Sequence, residues 1–473
     1  MTTKIFQRQV LQIWKPGRLQ NIHKSALCFT SRQNSSLTAN TQTCQGQSFS
    51  PDSQVRGYSS STGRQKLVIL GSGWGSYSVL KTIDKKKFDV VVVSPRNHFL
   101  FTPLLASTTV GTLEFRSIIE PVRNTGFRQT DHFHLSYAES LDMKKKLIRC
   151  ESVLDSSIKY DLEYDKLVIG VGALSNTFNI PGVRENSFFL KEVADARKIR
   201  NRILSNFELS IQPGITYEEA KRLLHFVIVG GGPTGVEFGA ELYDFVEQDV
   251  SRLYKQKQYE VRVTLIESNQ ILGSFDERLR NYAEKKIRER NRFTLLQSAV
   301  TEVKSDRVVL KDGSTLPCGL VVWSTGVAPR PFVKSLDVPK NKQGQILTDE
   351  YLNVLGDSTG SVFALGDCAD IETMPLPCTA QVAEREGRYL AKQLITGDPK
   401  SEPFKFQSMG MLAYIGRYQG LTDVPQVKMQ GFTSWLLWRS AYLTRLGSWR
   451  LRMQVPLDWL KTILYGRDVS RFE

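Results

Sequence analysis

Twice in this chain an apolar run breaks at a glycine and passes at once into a helical pattern: residues 66–76 read KLVILGSGWGS and residues 224–237 read LHFVIVGGGPTGVE. A strand ending this way aims backbone N–H groups from a helix N-terminus at whatever lies above it, and a pyrophosphate is the ligand such a turn suits. The first copy carries Gly71, Gly73 and Gly75; the second fits G-x-G-x-x-G in full through Gly230, Gly232 and Gly235. One copy alone is a weak signal, because glycine turns also close ordinary strand–helix joints. Two copies in 473 residues imply an α/β protein with two Rossmann-like units facing one another and two dinucleotides between them.

Apolar strands place these units. Residues 67–70 and 88–93 flank the first fingerprint, and 226–229 and 261–266 the second. Residues 165–172 (DKLVIGVG) and 319–326 (GLVVWSTG) are near-twin strands ending in glycine, suited to the connections by which a chain leaves one nucleotide domain and re-enters it. The chain therefore divides into a leader (1–62), a first dinucleotide domain in two parts (63–177 and 329–400), an inserted dinucleotide domain (178–328) and a C-terminal region (401–473).

The formal charge of +15 sits at the ends: seven Lys/Arg against one acid give +6 in residues 1–62, and seven against three give +4 in residues 432–473. The first segment is rich in Ser, Thr, Gln and Arg and reads as a mitochondrial transit peptide cut near Arg56-Gly57-Tyr58, the alternative being a basic tail. The last holds Trp435, Trp438, Trp449 and Trp459. Within 457–465, Leu457, Trp459, Leu460, Ile463 and Leu464 fall on one helical side, opposite Asp458, Lys461 and Thr462. No charge-free apolar run reaches the ~20 residues needed to span a bilayer. This end is therefore expected to lie in the interface of an anionic membrane, or else to pack on its own domain. Six cysteines without C-x-x-C or C-x4-C spacing and five scattered histidines argue against a redox disulfide and a metal centre. Basic ends without a basic groove argue against nucleic acid.

Where the second strand of the first unit ends, an acid usually binds ribose hydroxyls; here stand Ser94, Pro95 and Arg96. Ribose recognition must come from elsewhere, or from a hydroxyl and the backbone. Residues 99–105, FLFTPLL, suit either the wall of a flat aromatic cofactor or plain core. In the second unit the strand does end in an acid, Glu267, which is placed to accept both ribose hydroxyls and to repel a 2′-phosphate, so NADH is expected over NADPH. Glu237, one turn into the following helix, is placed to reach the nicotinamide end; the alternative is a helix-face acid in solvent. Residues 361–369, SVFALGDCA, put Asp367 at the start of a helix. There it can bond a polyol such as a flavin's ribityl chain, or simply cap that helix. Gln381 opens the helical segment 380–390.

Taken in order, GSGWGS, SPRNHFLFTPLL, GTLEFRSIIEP, GGGPTGVE, LGD and AQVA resemble the type II, non-proton-pumping NADH:ubiquinone oxidoreductases, most closely the fungal mitochondrial alternative NADH dehydrogenases, from about residue 65 to the C-terminus. The resemblance implies a glutathione-reductase-like fold with a C-terminal membrane-anchoring region. It implies non-covalent FAD on Gly71, Gly73, Ser94, Arg96, Thr102 and Asp367. NADH is implied on Gly230, Gly232, Gly235, Glu237 and Glu267, with ubiquinone approaching near Gln381. Hydride would pass from NADH to FAD and two electrons on to ubiquinone, with no proton-pumping machinery. The expected setting is the mitochondrial inner membrane, bound peripherally to its lipid surface as a homodimer; the absence of a stop-transfer segment and of an EF-hand loop favours the matrix face. One departure is Glu384, which stands where a His is expected after AQVA. A flavin disulfide reductase is disfavoured by the cysteine spacing. An apoptosis-inducing-factor-like, NADH-responsive binding flavoprotein is the rival from another class, and turnover with a quinone separates the two.

Overall fold

The structure, a computed structural model, describes residues 63–126, 132–397 and 402–472; the leader expected at 1–62 lies outside them. Strand β1 (Gln65–Leu70), helix α1 (Trp74–Thr82) and strand β2 (Phe88–Ser94) form the first βαβ unit. Its Val, Ile and Leu runs are buried, as a strand covered on both faces requires. A meander of β3 (Phe133–Asp142), β4 (Leu147–Ser152) and β5 (Lys159–Glu163) precedes β6 (Lys166–Ile169) and the short β7 (Ala173–Ser175). The second unit comprises β8 (Phe188–Phe189), α2 (Val193–Ser210), β9 (His225–Val229), α3 (Pro233–Phe245), β10 (Arg262–Glu267), β11 (Phe293–Gln297) and β12 (Leu320–Trp323). The chain then returns through β13 (Val327–Pro329), β14 (Val362–Ala364) and α4 (Ala380–Thr396). It continues with β15 (Met411–Gly416), β16 (Gln419–Val424), β17 (Val427–Gly431), α5 (Phe432–Arg445) and α6 (Trp449–Tyr465).

The first sheet runs β14-β6-β1-β2-β3-β4-β5, parallel from β14 to β3 and antiparallel beyond. The second runs β8-β12-β9-β10-β11, parallel throughout. β7 and β13 pair antiparallel, so the chain leaves the first unit and comes back to it side by side.

The glycines explain why each fingerprint turns as it does. Gly71 and Gly230 hold φ of +101° and +109°, and a Cβ on Gly71 would stand 2.4 Å from the Gly170 carbonyl oxygen. Gly75 and Gly387 bring α1 and α4 together backbone to backbone; a Cβ on Gly387 would lie 2.3 Å from the Gly75 oxygen.

The C-terminal region corrects one expectation. Trp435, Trp438 and Trp459 are buried and only Trp449 of the four is exposed. The Arg439 guanidinium stacks between Trp435 and Trp459, 4.3 Å from each ring. At about 100° per residue, Trp459 falls in line with Val455 and Leu451, the inward side of α6, rather than with Leu460 and Leu464. The outward side carries Trp449, Met453, Leu457, Leu460, Ile463 and Leu464, all exposed. Among the described residues no helix is long and apolar enough to cross a membrane.

Candidate active site

A cavity of about 760 Å³ opens above the first fingerprint, within the range of cofactor sites. Gly71, Gly73, Ser94, Arg96, Thr102 and Asp367 line it, and so does Glu237 from the second unit. Its floor is bare at Gly73, where a Cβ would meet only the Arg96 guanidinium at 3.9 Å. Together with a helix N-terminus below and Asp367 at the wall, this is a cradle that fits a dinucleotide such as FAD.

The FLFTPLL segment serves both of its readings at once. Phe99, Phe101 and Leu104 are core, while Thr102 and Leu105 face the cavity. Thr102 accepts the Trp74 indole N–H at 3.0 Å. Ser94 is buried, donating to Ser72 Oγ at 3.0 Å and accepting the Arg96 N–H at 3.3 Å. Asp367 lines the wall as expected, but no long helix starts there. It sits in the short turn Gly366–Cys368, and the next residues pair as a strand with Ile346–Thr348. That pairing pulls the backbone straight, and the helix waits until Ala380, capped by Thr379.

Gly230, Gly232, Gly235 and Glu267 gather at the head of α3, apart from that cavity. A Cβ on Gly235 would lie 2.0 Å from the Gly230 oxygen, whereas one on Gly232 would meet nothing within 4 Å. The Glu267 carboxylate accepts the Gly231 N–H at 2.7 Å and the Asn269 N–H at 3.0 Å. Gln381 lies beside the cavity, its neighbours Ala380 and Ala383 lining it; its own amide accepts the Met409 N–H at 2.8 Å. Glu384 is ion-paired with Arg388 and, at 3.1 Å, with Arg445, joining α4 to α5.

Glu237 is buried, 8 % exposed, not a solvent-facing acid. It accepts the Tyr414 backbone N–H at 3.0 Å, and burial pushes its carboxyl up to about 8 against that hydrogen bond. Glu241 and Asp244 follow it along α3. Glu241 takes the hydroxyls of Ser107 and Thr112 at 2.8 and 2.6 Å, and Asp244 takes the Arg417 N–H at 3.0 Å. Arg467, buried as well, stands 2.9 Å from Asp249 and 3.7 Å from Glu241. This network ties the inserted unit to the C-terminal region, and sequence reading missed it. The signal was present in PTGVEFGAELYDF: acids one turn apart on a helix that is otherwise apolar.

The Glu237 carboxyl gains its proton far above its ordinary value of 4.5, so the neutral form is the one the fold favours. Stability that is full below about 4.5 should drain away as pH rises through about 8. Scanning calorimetry across that window should show the wild-type Tm falling relative to Glu237→Gln, whose amide cannot charge; parallel curves would contradict the shift.

Two facing nucleotide-binding units with a shared acid-lined wall define a dinucleotide-dependent oxidoreductase fold. Residues 65–387 match the family Pyridine nucleotide-disulphide oxidoreductase, and residues 409–468 match the NDH2 C-terminal domain. The chain is 46% identical over 444 residues to the Internal alternative NAD(P)H-ubiquinone oxidoreductase A1, mitochondrial, of Arabidopsis thaliana, covering 86% of both chains. It is 46% identical to a Probable NADH dehydrogenase of Dictyostelium discoideum, covering 86% of this chain and 91% of that one. The structure of NDH2 from Plasmodium falciparum in complex with NADH superposes with a TM-score of 0.81 at 28% identity, covering 86% of this chain and all of that one. The chain belongs to the NDH2 family of alternative NAD(P)H-ubiquinone oxidoreductases.

Proposed function

We propose that this protein is a non-proton-pumping NADH:ubiquinone oxidoreductase with FAD held non-covalently in the first unit and NADH brought by the second. The observation that carries this reading is that Glu237, on the helix behind the second fingerprint, lines the cavity above the first. The two dinucleotides therefore meet at one wall. The chemistry such a flavin supplies is two-electron: it accepts hydride from a nicotinamide and releases electrons to a quinone.

The chain's own residues orient and seal. Gly71, Gly73 and the N-terminus of α1 receive the pyrophosphate, Thr102 and Arg96 flank it, and Asp367 bonds the polyol. Gly230, Gly232 and Gly235 receive the second pyrophosphate, and Glu267 its ribose. Glu237 stands as a neutral, buried hydrogen-bonding group where the nicotinamide arrives. Gln381, held to Met409 of the C-terminal region, lies where a quinone would approach from the membrane side. The exposed stripe of α6 supports peripheral attachment to a lipid surface. The mitochondrial names of the relatives and the composition of residues 1–62 support the mitochondrial inner membrane. We assign the matrix face and a homodimer to the same reading.

Purified protein should carry stoichiometric flavin and oxidise NADH with a ubiquinone analogue. Flavin with NADH binding but no quinone turnover would instead make it an NADH-responsive binding protein. Glu267→Gln should raise kcat/KM for NADPH by about tenfold, because a like-charge repulsion is removed. Wild type that uses both nucleotides equally would contradict the assignment of Glu267.

A further inference from the structure

The tip of β2 lacks the acid of its fingerprint, and the Ser94 hydroxyl that stands there is already used by Ser72 and the Arg96 N–H. A carboxylate serving the ribose of the first dinucleotide has to come from another segment. Five carboxylates line the cavity: Glu139, Glu151, Glu192, Glu237 and Asp367. Glu139 and Glu151 share Lys159, each at 2.9 Å. Glu237 is turned to the Tyr414 backbone at 3.0 Å, and Asp367 lies 3.8 Å from Lys191.

Glu192 differs from these in standing beside the tip of β2, paired with Arg96. It is brought by the inserted unit at the head of α2, where its N–H and that of Lys191 are fixed by the Asp195 carboxylate at 2.9 and 3.0 Å. Its own carboxylate is ion-paired with Arg96 at the tip of β2 and lies 3.9 Å from Arg330. It thus stands one guanidinium away from the strand end that usually bears the acid. Arg330 also lines the cavity, and its Nε–H is buried with no hydrogen-bond partner among the described residues, a donor left for a ligand.

We propose that Glu192 is a specificity residue of the first site: a carboxylate supplied by the inserted unit to accept the adenosine ribose hydroxyls of FAD, oriented by Arg96 and Arg330. This rests on the FAD reading of the cavity. It makes retention of the first cofactor depend on a side chain of the unit that binds the second.

The test is a fluorescence titration of flavin-stripped full-length protein with FAD and with an FAD analogue lacking both adenosine ribose hydroxyls. Wild type should bind FAD about 10- to 100-fold more tightly than the analogue, the usual size of a lost hydrogen bond to a charged group. Glu192→Gln should lose most of that preference, and Glu192→Asp, which keeps the charge on a shorter arm, should lose part of it. Equal binding of the two ligands by wild type overturns the proposal. So does a variant weakened equally for both, since Glu192 would then act only through the arginines. An unchanged preference in Glu192→Asp overturns it should Glu192→Gln fail to fold. Wild type that takes up neither ligand defeats the FAD reading itself, and the proposal with it.

Discussion

Gly73→Val should yield protein stripped of flavin, whereas Gly232→Val should keep its flavin and lose NADH, with KM raised on the order of 100-fold or more. The backbone does not object to either change. Gly73 and Gly232 are extended, with φ of −78° and −69°, a conformation that any residue adopts. Around Gly232 a Cβ meets nothing within 4 Å, and around Gly73 only the end of a flexible Arg96. What the valine occupies is the space a pyrophosphate needs, so the loss falls on the ligand and not on the fold. The flanking glycines give the contrast: Gly71→Val and Gly235→Val drive atoms into backbone oxygens 2.4 and 2.0 Å away and should fail to fold. Flavin absorbance per protein and steady-state NADH kinetics read the two losses separately. If Gly232→Val shed flavin and kept NADH, the assignment of the two cofactors would be reversed.

The second large effect belongs to α6. Met453, Leu460 and Leu464 stand outward at 61 %, 51 % and 54 % exposure. Replacing all three with Glu removes roughly 5 kcal/mol or more of partitioning energy, at about 1.5–3 per large apolar side chain. The variant should appear in the soluble fraction in vesicle flotation, while wild type floats with anionic phospholipid. Turnover with a long-tailed quinone in vesicles should collapse, and turnover with a short-tailed analogue in solution should survive. A variant that still floats would place the membrane contact elsewhere. Charge contributes less to this face than the net +4 of the segment suggests. Arg439 is stacked between two tryptophans, Arg467 is buried among acids, and Arg445 is held by Glu384.

The two nucleotide units were legible because their glycines answer to local sterics: a positive φ at Gly71 and Gly230 and a close approach at Gly235 depend on a few adjacent atoms. The same holds for the strands, whose apolar runs announce burial on both faces. Features set by distant partners were not legible. The residues after Asp367 become a strand because Ile346–Thr348 lies beside them, and no local pattern carries that information. Trp459 turns inward because Val455 and Leu451, one and two turns earlier, continue its line; the window 457–465 contains neither. Glu192 and Arg330 join Arg96 across 96 and 234 positions of sequence, and only the folded chain brings them to one wall. The expected site residues split accordingly: seven share the cavity, while the second fingerprint with Glu267 and Gln381 stands apart from it.

The antiparallel pair β7–β13 has an evolutionary and practical corollary. A module whose two ends depart from one spot is a graft: it can be added to, or cut from, its host without rethreading the host sheet. Joining Ser175 to Val327 through a tight turn would leave the first sheet threaded as before but remove Glu192 and Glu237 from its cavity, so the trunk left behind should hold FAD more weakly than the whole chain.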